Sequence, residues 1–416
     1  MLTRALAESA FLRAVTECDP TRLVREAITL PPTVGFAVGK AAIAMARGAG
    51  PVREGLAIAP ADDGRGLPAG WRLMIGAHPV PDDRSLAAGT AAVELFERAS
   101  PDDVVLALIS GGASSLMEVP RVPFDEYLSI TSAVMAAGAP IHVLNLVRTA
   151  LSRIKGGGLV RDCGARVITL AISDVFSDGI GVIGSGPTIQ DLQARAALVE
   201  TPLRDMLAPA LVSELLAARG PAAKAAIAVR ELGIDAPALE QLARQPYREP
   251  PPRIGDVAQL LAPMRAFADA AARSLDGARV LDAPLVADVE RYAVRLAAEP
   301  GLVVAWGEPT LAVPADHGDG GRAQQLALLV ARELGGTDRA ALVAGSDGVD
   351  GPAPEGRPAP AGAFVDGTTW SAILAAGIDP ARALERRDAG TALAAVGALF
   401  VPGPTGVNHA DLVILG

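Results

Sequence analysis

The chain is 416 residues long, half of them hydrophobic but only 3% aromatic, with 44 glycines and a formal net charge of −10. That length allows two or three domains with ample core. The composition fits an α/β enzyme and argues against a coiled coil, a disordered chain or a basic nucleic-acid-binding face.

Arg4, Glu8 and Arg13 interrupt any signal-peptide core near the N-terminus. The same region reads as an amphipathic helix over about Leu2–Thr16. A buried strand, TVGFAV, follows and ends at Gly39-Lys40, ahead of an Ala-rich helix, AAIAMARGAG. GLAIAP, RLMIGA, VVLALIS and RVITLAIS continue as strands, with helical stretches such as SLAAGTAAVELFERA between them. Strands alternating with helices mean βαβ units and a mainly parallel sheet. From about Asp191 to Leu242 the pattern turns helical. YREPPPR, with Pro250, Pro251 and Pro252, reads as a linker. Beyond it the pattern predicts a helix over about Val257–Leu275, then strands GLVVAW, AALVAGS and LVILG. Prolines make Gly351–Pro360 a surface loop, since they lack N–H donors. The expected fold class is α/β in two domains, residues 1–245 and residues 254–416. Cys18 and Cys163 provide neither a disulfide framework nor a zinc cluster. No apolar run approaches the roughly 18 residues needed to span a bilayer, so the expected setting is the cytoplasm.

Two stretches, Arg148–Thr188 and Trp306–Gly351, share one grammar: a short apolar strand stops in glycine and a polar or acidic residue. In open α/β sheets ligands bind past the carboxyl ends of strands, and glycine N–H groups can form an anion-binding nest. The chain is therefore expected to handle phosphate. Lys40 lies where its ammonium and the positive end of a helix can both face a phosphate. The spacing is not that of a P-loop, and Ala41 stands where a Ser or Thr would hold Mg²⁺; a solvated lysine is the plainer alternative. The string Ser110-Gly111-Gly112-Ala113-Ser114-Ser115 suits an anion at a helix start, or is simply a cap and turn. Asn145, Arg148, Ser152 and Lys155 recur at helical spacing just before Gly156-Gly157-Gly158. They form either an anion-gripping face or a solvated one.

Asp174 and Asp178, in a glycine-rich loop that continues through Ser185 and Gly186, have the oxygen chemistry for Mg²⁺. Gly179, Gly181 and Gly184 match G-x-G-x-x-G, but Gly186-Pro187 cuts short the helix that a dinucleotide site needs. Arg322, behind Gly320 and Gly321, opposes the dipole of the helix it opens, which a bound anion would explain. Asp347 and Asp350 offer a second carboxylate pair. Gly403–Asn408 reads as a tight turn. His78 and His409 are placed to reach a cleft, His142 is structural, and no G-x-S-x-G elbow supports a hydrolase triad.

The strings GxHPVPD (Gly76–Asp82), SGGASSL, NLVRTALSRIKGGGL, SDVFSDGIGVIGSGPT, GDGGRAQQLAL, GSDGVDG and GPTGVN occur in one order along nearly the whole chain. In that order the chain resembles the type II glycerate kinases, glycerate 2-kinases with a C-terminal MOFRL domain. The resemblance implies a large Rossmann-like N-terminal domain with a mainly parallel sheet. It also implies a smaller α/β C-terminal domain with the MOFRL region over about 300–416, and an active site between the two. ATP and Mg²⁺ would serve phosphorylation of D-glycerate at C2, with Lys40 and Arg322 as the catalytic residues. Substrate and phosphate contacts would then come from Ser110, Gly111, Gly112, Ser114, Asn145, Arg148, Lys155, Gly156, Gly157, Ser185, Gly186, Gly320 and Gly321, and metal contacts from Asp174, Asp178, Asp347 and Asp350. The partners are small molecules, with no nucleic acid and no membrane, and a homodimer is compatible with this.

The chain departs from the family at Thr149-Ala150, where a basic pair is usual, at Gly158, where arginine is common, and at Trp306-Gly307 in place of Gly-Gly. Ala323-Gln324-Gln325 also replaces Asn-Gln-Glu. These positions bear on which sugar acid is bound. Two other classes stay open: a hydroxypyruvate reductase, which needs a nicotinamide site not found here, and a metabolite-binding protein without turnover.

Overall fold

The computed structural model describes residues 2–190, 213–215, 217–248, 250–352 and 358–416. The chain divides into two compact units, Val24–Leu261 and Met1–Leu23 with Ala262–Gly416.

After helices α1 (Arg4–Glu17) and α2 (Pro20–Ala27), the first unit alternates strand and helix: β1 (Val34–Val38), α3 (Ala42–Ala49), β2 (Glu54–Ala59), β3 (Trp71–Ile75), α4 (Asp83–Arg98) and β4 (Val104–Ile109). It continues through α5 (Ala113–Leu116), α6 (Phe124–Ala136), α7 (Ile141–Leu151), β5 (Arg166–Ile172), α8 (Gly220–Glu231), α9 (Pro237–Ala243) and β6 (Val257–Ala262). The strands lie in the order β3-β2-β1-β4-β5-β6, and β1 to β5 pair in parallel. β1 and β2 are almost wholly buried, as strands covered on both faces must be. Phe36 of β1 meets Phe96 of α4 edge-on at 5.2 Å, and α4 is fixed at its start by a capping box between Asp82 and Ser85. A second apolar cluster, with Tyr127, Val134, Val147 and Leu239, holds α6, α7 and α9 together.

The other unit adds α10 (Ala266–Arg273), β7 (Arg279–Val280), α11 (Ala293–Ala298), β8 (Val303–Gly307), α12 (Arg322–Leu334), β9 (Ala340–Gly345) and β10 (Gly362–Asp366). α13 (Thr369–Ala375), α14 (Pro380–Glu385), α15 (Ala389–Ala395), β11 (Leu399–Phe400) and β12 (Asp411–Leu415) complete it. Its sheet runs β11-β10-β9-β12-β8-β7, antiparallel except between β7 and β8. Alternate residues serve opposite faces: Val303, Ala305, Val413 and Leu415 pack in one apolar cluster, Val304, Trp306, Leu412 and Ile414 in another. Helices therefore cover both faces. Among the described residues no helix is long and apolar enough to cross a membrane.

Three expectations change. The segment over Val257–Leu275 is a strand, β6, followed by α10, because Pro263 interrupts the backbone hydrogen bonding a single helix would need. The YREPPPR segment does not separate the compact units. Arg253 donates to the carbonyls of Val160, Cys163 and Ala165 at 2.9, 2.7 and 2.5 Å and pairs with Asp256, which fastens this stretch to the first unit. The N-terminal helix, expected within 1–245, packs in the unit that carries the C-terminus: Phe11 meets Phe267 at 5.2 Å and Phe400 at 5.0 Å. Parts of the helical stretch (191–212 and 216), the linker (Glu249) and the proline-rich loop (353–357) lie outside the described residues.

Candidate functional site

In the first sheet the chain runs outward from β1 through β2 to β3, then returns to β4 on the other side of β1. The loops leaving β1 and β4 thus diverge at a topological switch point, where open parallel sheets bind ligands. Val38 and Ile109, the last residues of the two strands, are register partners, so both loops start side by side. Lys40 N donates to Gly111 O at 2.8 Å, and Ala41 N donates to Ser110 Oγ at 3.1 Å.

Gly112 adopts a left-handed conformation, and a Cβ there would lie 3.4 Å from Lys40 Cγ and 3.5 Å from the His78 ring. Lys40 and His78 therefore flank one glycine. Lys40 is exposed. The Nδ1 edge of His78 lies 2.9 Å from Ser115 Oγ, and the residue as a whole is exposed although its ring is partly covered. Burial of the ring lowers its pKa, and the cations Lys40 and Arg148 lower it further. Arg148 and Asn145, one turn apart on α7, are both half-buried. Asp174 joins the group from the end of β5: a Cβ on Gly111 would fall 2.2 Å from its Oδ2. Gly184, Ser185 and Gly186 carry φ of 59°, 63° and 52°, and Ser185 Oγ lies 2.9 Å from Ser114 Oγ. Successive left-handed residues of this kind curl the backbone into the loop, and among the described residues no helix opens at these glycines through Gln190, where a dinucleotide fingerprint needs one.

Other expected contacts serve the framework. Ser110 is buried, with its hydroxyl engaged by Ala41 N. Gly156 and Gly157 donate their amides to Ser185 O and Gly186 O at 3.0 and 2.8 Å, tying two loops together. α7 ends at Leu151; Ser152 turns extended and bridges Pro120, so Ser152 and Lys155 do not share a face with Asn145 and Arg148. Lys155 is buried and its ammonium sits on Glu118, which also accepts from Ser152 Oγ and from Val119 N at 2.9 Å. An ammonium neutralised in this way does not grip a ligand anion. Burial lowers the Lys155 pKa, and Glu118 opposes that shift. The one-turn α5 also brings too little dipole for a helix-start anion site at Ser110–Ser115.

In the second unit α12 begins at Arg322, as expected, but its surroundings change the reading. Asp350 is buried and caps the helix, accepting from Ala323 N at 3.0 Å and Gln324 N at 2.9 Å. A Cβ on Gly321 would fall 2.3 Å from Asp350 Oδ1, so the glycine admits a protein carboxylate rather than a phosphate. Gly320 similarly faces the backbone of Gly390. Arg322 spreads its fork on Asp411, with Nε–Oδ2 at 2.7 Å and Nη2–Oδ1 at 3.0 Å, and Nη1 reaches Glu308 at 3.1 Å. These carboxylates already supply the anion that its position against the dipole demanded. Burial raises the Asp411 pKa to about 6 despite Arg322. The Arg322 pKa is raised in turn: burial acts to lower it, but Asp411, Glu308 and Asp350 prevail. The two shifts pull the proton opposite ways; arginine keeps its proton, so near neutral pH the pair is ionic.

Asp347 accepts from Val349 N at 3.1 Å in a local turn, and its backbone carbonyl accepts from Thr405 N at 3.0 Å, which holds the Gly403–Asn408 turn. Among the described residues no group of three or more His, Cys, Asp or Glu is placed to hold a metal. His409 is buried and stacks on Phe267, in the core rather than at a cleft. Burial lowers the pKa of His142. Sequence reasoning passed over Glu118 and Asp411. Their signals were single acids, one inside the apolar run SLMEVP and one opening DLVILG.

Comparison with known proteins agrees with this architecture. Residues 6–216 match a family described as a domain of unknown function (DUF4147), and residues 301–411 match the MOFRL family. The chain is 31% identical to the D-glycerate 2-kinase of Thermotoga maritima, over 99% of this chain and 97% of that protein. It is also 31% identical to a protein of Agrobacterium vitis provisionally named as a hydroxypyruvate reductase, over 98% and 93% of the two chains. The crystal structure of a glycerate kinase from Thermotoga maritima superposes with a TM-score of 0.83 at 28% identity, covering 99% of this chain and 98% of that one. With motifs, fold and full-length similarity in agreement, the chain belongs to the type II glycerate kinase family, whose members carry a MOFRL domain toward the C-terminus.

Proposed function

We propose that this chain is a glycerate 2-kinase that transfers the γ-phosphoryl group of ATP to the 2-hydroxyl of D-glycerate. The observation that carries the reading is the convergence of Lys40, His78 and, through its field, Arg148 at Gly112, beside the β1–β4 switch point. Phosphoryl transfer asks the protein mainly for positioning and charge neutralisation. Lys40 would neutralise phosphate oxygens as a compact point charge. Arg148, with Asn145, would hold the second anion, carboxylate or phosphate, through its planar fork. Gly112, Ser114, Ser185 and Gly186 supply the small residues that let backbone approach a phosphate, while Gly111 makes room for Asp174.

Mg²⁺ would neutralise charge on the phosphates when bound. Asp174 and Asp178 have the oxygen chemistry for it, and Asp174 stands beside Gly111; Mg²⁺ commonly takes only one or two protein carboxylates. Asp350 does not fit the role, since its oxygens cap α12, and Asp347 Oδ1 closes a local turn. Arg322 enters the proposal as a cation stored on Asp411 and Glu308, drawn to a ligand only by opening that pair. A cytoplasmic setting, where ATP is at hand, accompanies the reading.

Incubation with D-glycerate, ATP and Mg²⁺, followed by phosphorus NMR, tests it: 2-phosphoglycerate is expected. A product that is only 3-phosphoglycerate, or no phosphorylated product, would sink the idea. NADH oxidation with hydroxypyruvate, run in parallel, would instead support the reductase.

A further inference from the structure

We propose that His78 is the general base of this reaction, accepting the proton of the glycerate 2-hydroxyl on Nε2, and that Ser115 positions it. The inference rests on the kinase reading above. His78 Nδ1 lies 2.9 Å from Ser115 Oγ, and that hydroxyl in turn reaches its own turn's carbonyl, Gly112 O, at 3.4 Å. We assign the hydroxyl's proton to Gly112 O; on that assignment Ser115 accepts from the ring and the imidazole hydrogen is on Nδ1. The lone pair of the neutral ring is then on Nε2. Ser115 is buried and fixed in α5, so it holds the ring plane as well as the tautomer. Nε2 has no hydrogen-bond partner among the described residues, and His78 as a whole is exposed.

The charged groups that face the ring are Lys40, from the turn after β1, and Arg148, from α7. Both are cations, and both disfavour the imidazolium, so His78 is neutral and ready to accept a proton near neutral pH. The same cations would hold the anionic groups of the substrates beside it. As the 2-hydroxyl O–H bond breaks, its proton passes to Nε2 and the oxygen's electron pair forms the bond to the γ-phosphorus. The bond from that phosphorus to the bridging oxygen breaks, and its electrons leave on ADP. The imidazolium then gives its proton to water. Atoms and charge balance without a further reactant.

The test compares wild type, His78→Gln and Ser115→Ala by phosphorus NMR of the product, by the pH dependence of kcat/KM, and by calorimetric binding of a non-hydrolysable ATP analogue. Loss of general-base catalysis typically costs about 10²–10⁴ in rate. His78→Gln should lose kcat on that scale and flatten the acid limb of the profile, with nucleotide binding retained. Ser115→Ala should keep the limb and lose less. Nitrogen-15 NMR of the wild-type protein should find the hydrogen on Nδ1. A His78→Gln enzyme with wild-type kcat and acid limb, or a wild-type imidazole protonated on Nε2, overturns the assignment. The second measurement decides the matter even if the variant does not fold. Failure of the wild type to form phosphoglycerate would instead remove the kinase reading itself.

Discussion

Lys40 is exposed, and among the described residues its ammonium has no ion pair, so its removal should touch charge and little else. Loss of one preorganised contact to a developing charge costs about 3 kcal/mol, or roughly 10²–10³ in rate. Lys40→Ala should therefore lower kcat on that scale with an unchanged melting temperature. It should also raise the pKa of His78, because one of the two cations that depress it is gone. A proton NMR titration of His78 checks this, and an unmoved titration would separate the two residues.

Arg322 calls for a different experiment, since it shields the buried carboxylate of Asp411. Breaking a buried pair from one side costs about 3–5 kcal/mol. Arg322→Ala should thus destabilise the fold more than Asp411→Asn, with Arg322→Lys between them, as denaturant midpoints will report. The sign of the pH effect follows from the raised pKa. The ionised carboxylate is the disfavoured form in the folded state, so the contribution of Asp411 is full below its ordinary 3.8 and is lost as pH rises through about 6. Relative to Asp411→Asn, wild type should lose stability across that window; a constant difference would mean that Arg322 fully offsets burial.

At the scale of an element, α12 shows how a helix start that looks built for a ligand can be satisfied by its own protein. Gly321 supplies no side-chain cap, and Asp350 arrives from the loop after β9 to take two of the free amides. Removing one partner of such buried donors costs about 1–3 kcal/mol, which corresponds to roughly 2–4 °C per kcal/mol for a unit of this size. Asp350→Asn should therefore lower the melting temperature and leave the Mg²⁺ dependence of the reaction unchanged, whereas Asp174→Asn should alter the Mg²⁺ dependence. Paired thermal melts and Mg²⁺ titrations of the two variants separate a capping carboxylate from a metal ligand. If Asp350→Asn shifted the Mg²⁺ requirement without a loss of stability, the assignments would have to be exchanged.

Over the whole molecule, two compact units with separate apolar cores permit two unfolding transitions. Lys40, His78, Arg148 and Asp174 all belong to Val24–Leu261. A ligand that binds only the folded form stabilises it by about 2.7 kcal/mol at a hundred times its dissociation constant. Scanning calorimetry with a non-hydrolysable ATP analogue, Mg²⁺ and D-glycerate should raise the transition of that unit. A rise confined to the transition of the other unit would move the principal contacts to the residues around Arg322.

The sequence by itself determined the parallel first sheet, and it placed the candidate phosphate-binding residues at the ends of its strands. TVGFAV and VVLALIS are short apolar runs ended by glycine, and strands of that kind in alternation with helices leave one architecture, with Lys40 and Gly111-Gly112 at the strand ends. It could not determine whether VAQLLA is helix or strand, because a run that short fits both periods until Pro263 and the neighbouring β5 decide. Nor could spacing say which carboxylate meets which cation. Lys155 looked ready for an anion until the loop after α5 brought Glu118 to it from 37 positions away. Arg322 met Asp411 across 89 positions because β12 pairs with both β8 and β9, setting Asp411 opposite Gly307 and Gly345 at the ends of those strands. Periodicity reports how a segment meets its immediate surroundings; the partner of a buried charge is chosen by strand order, and only the folded chain contains that order.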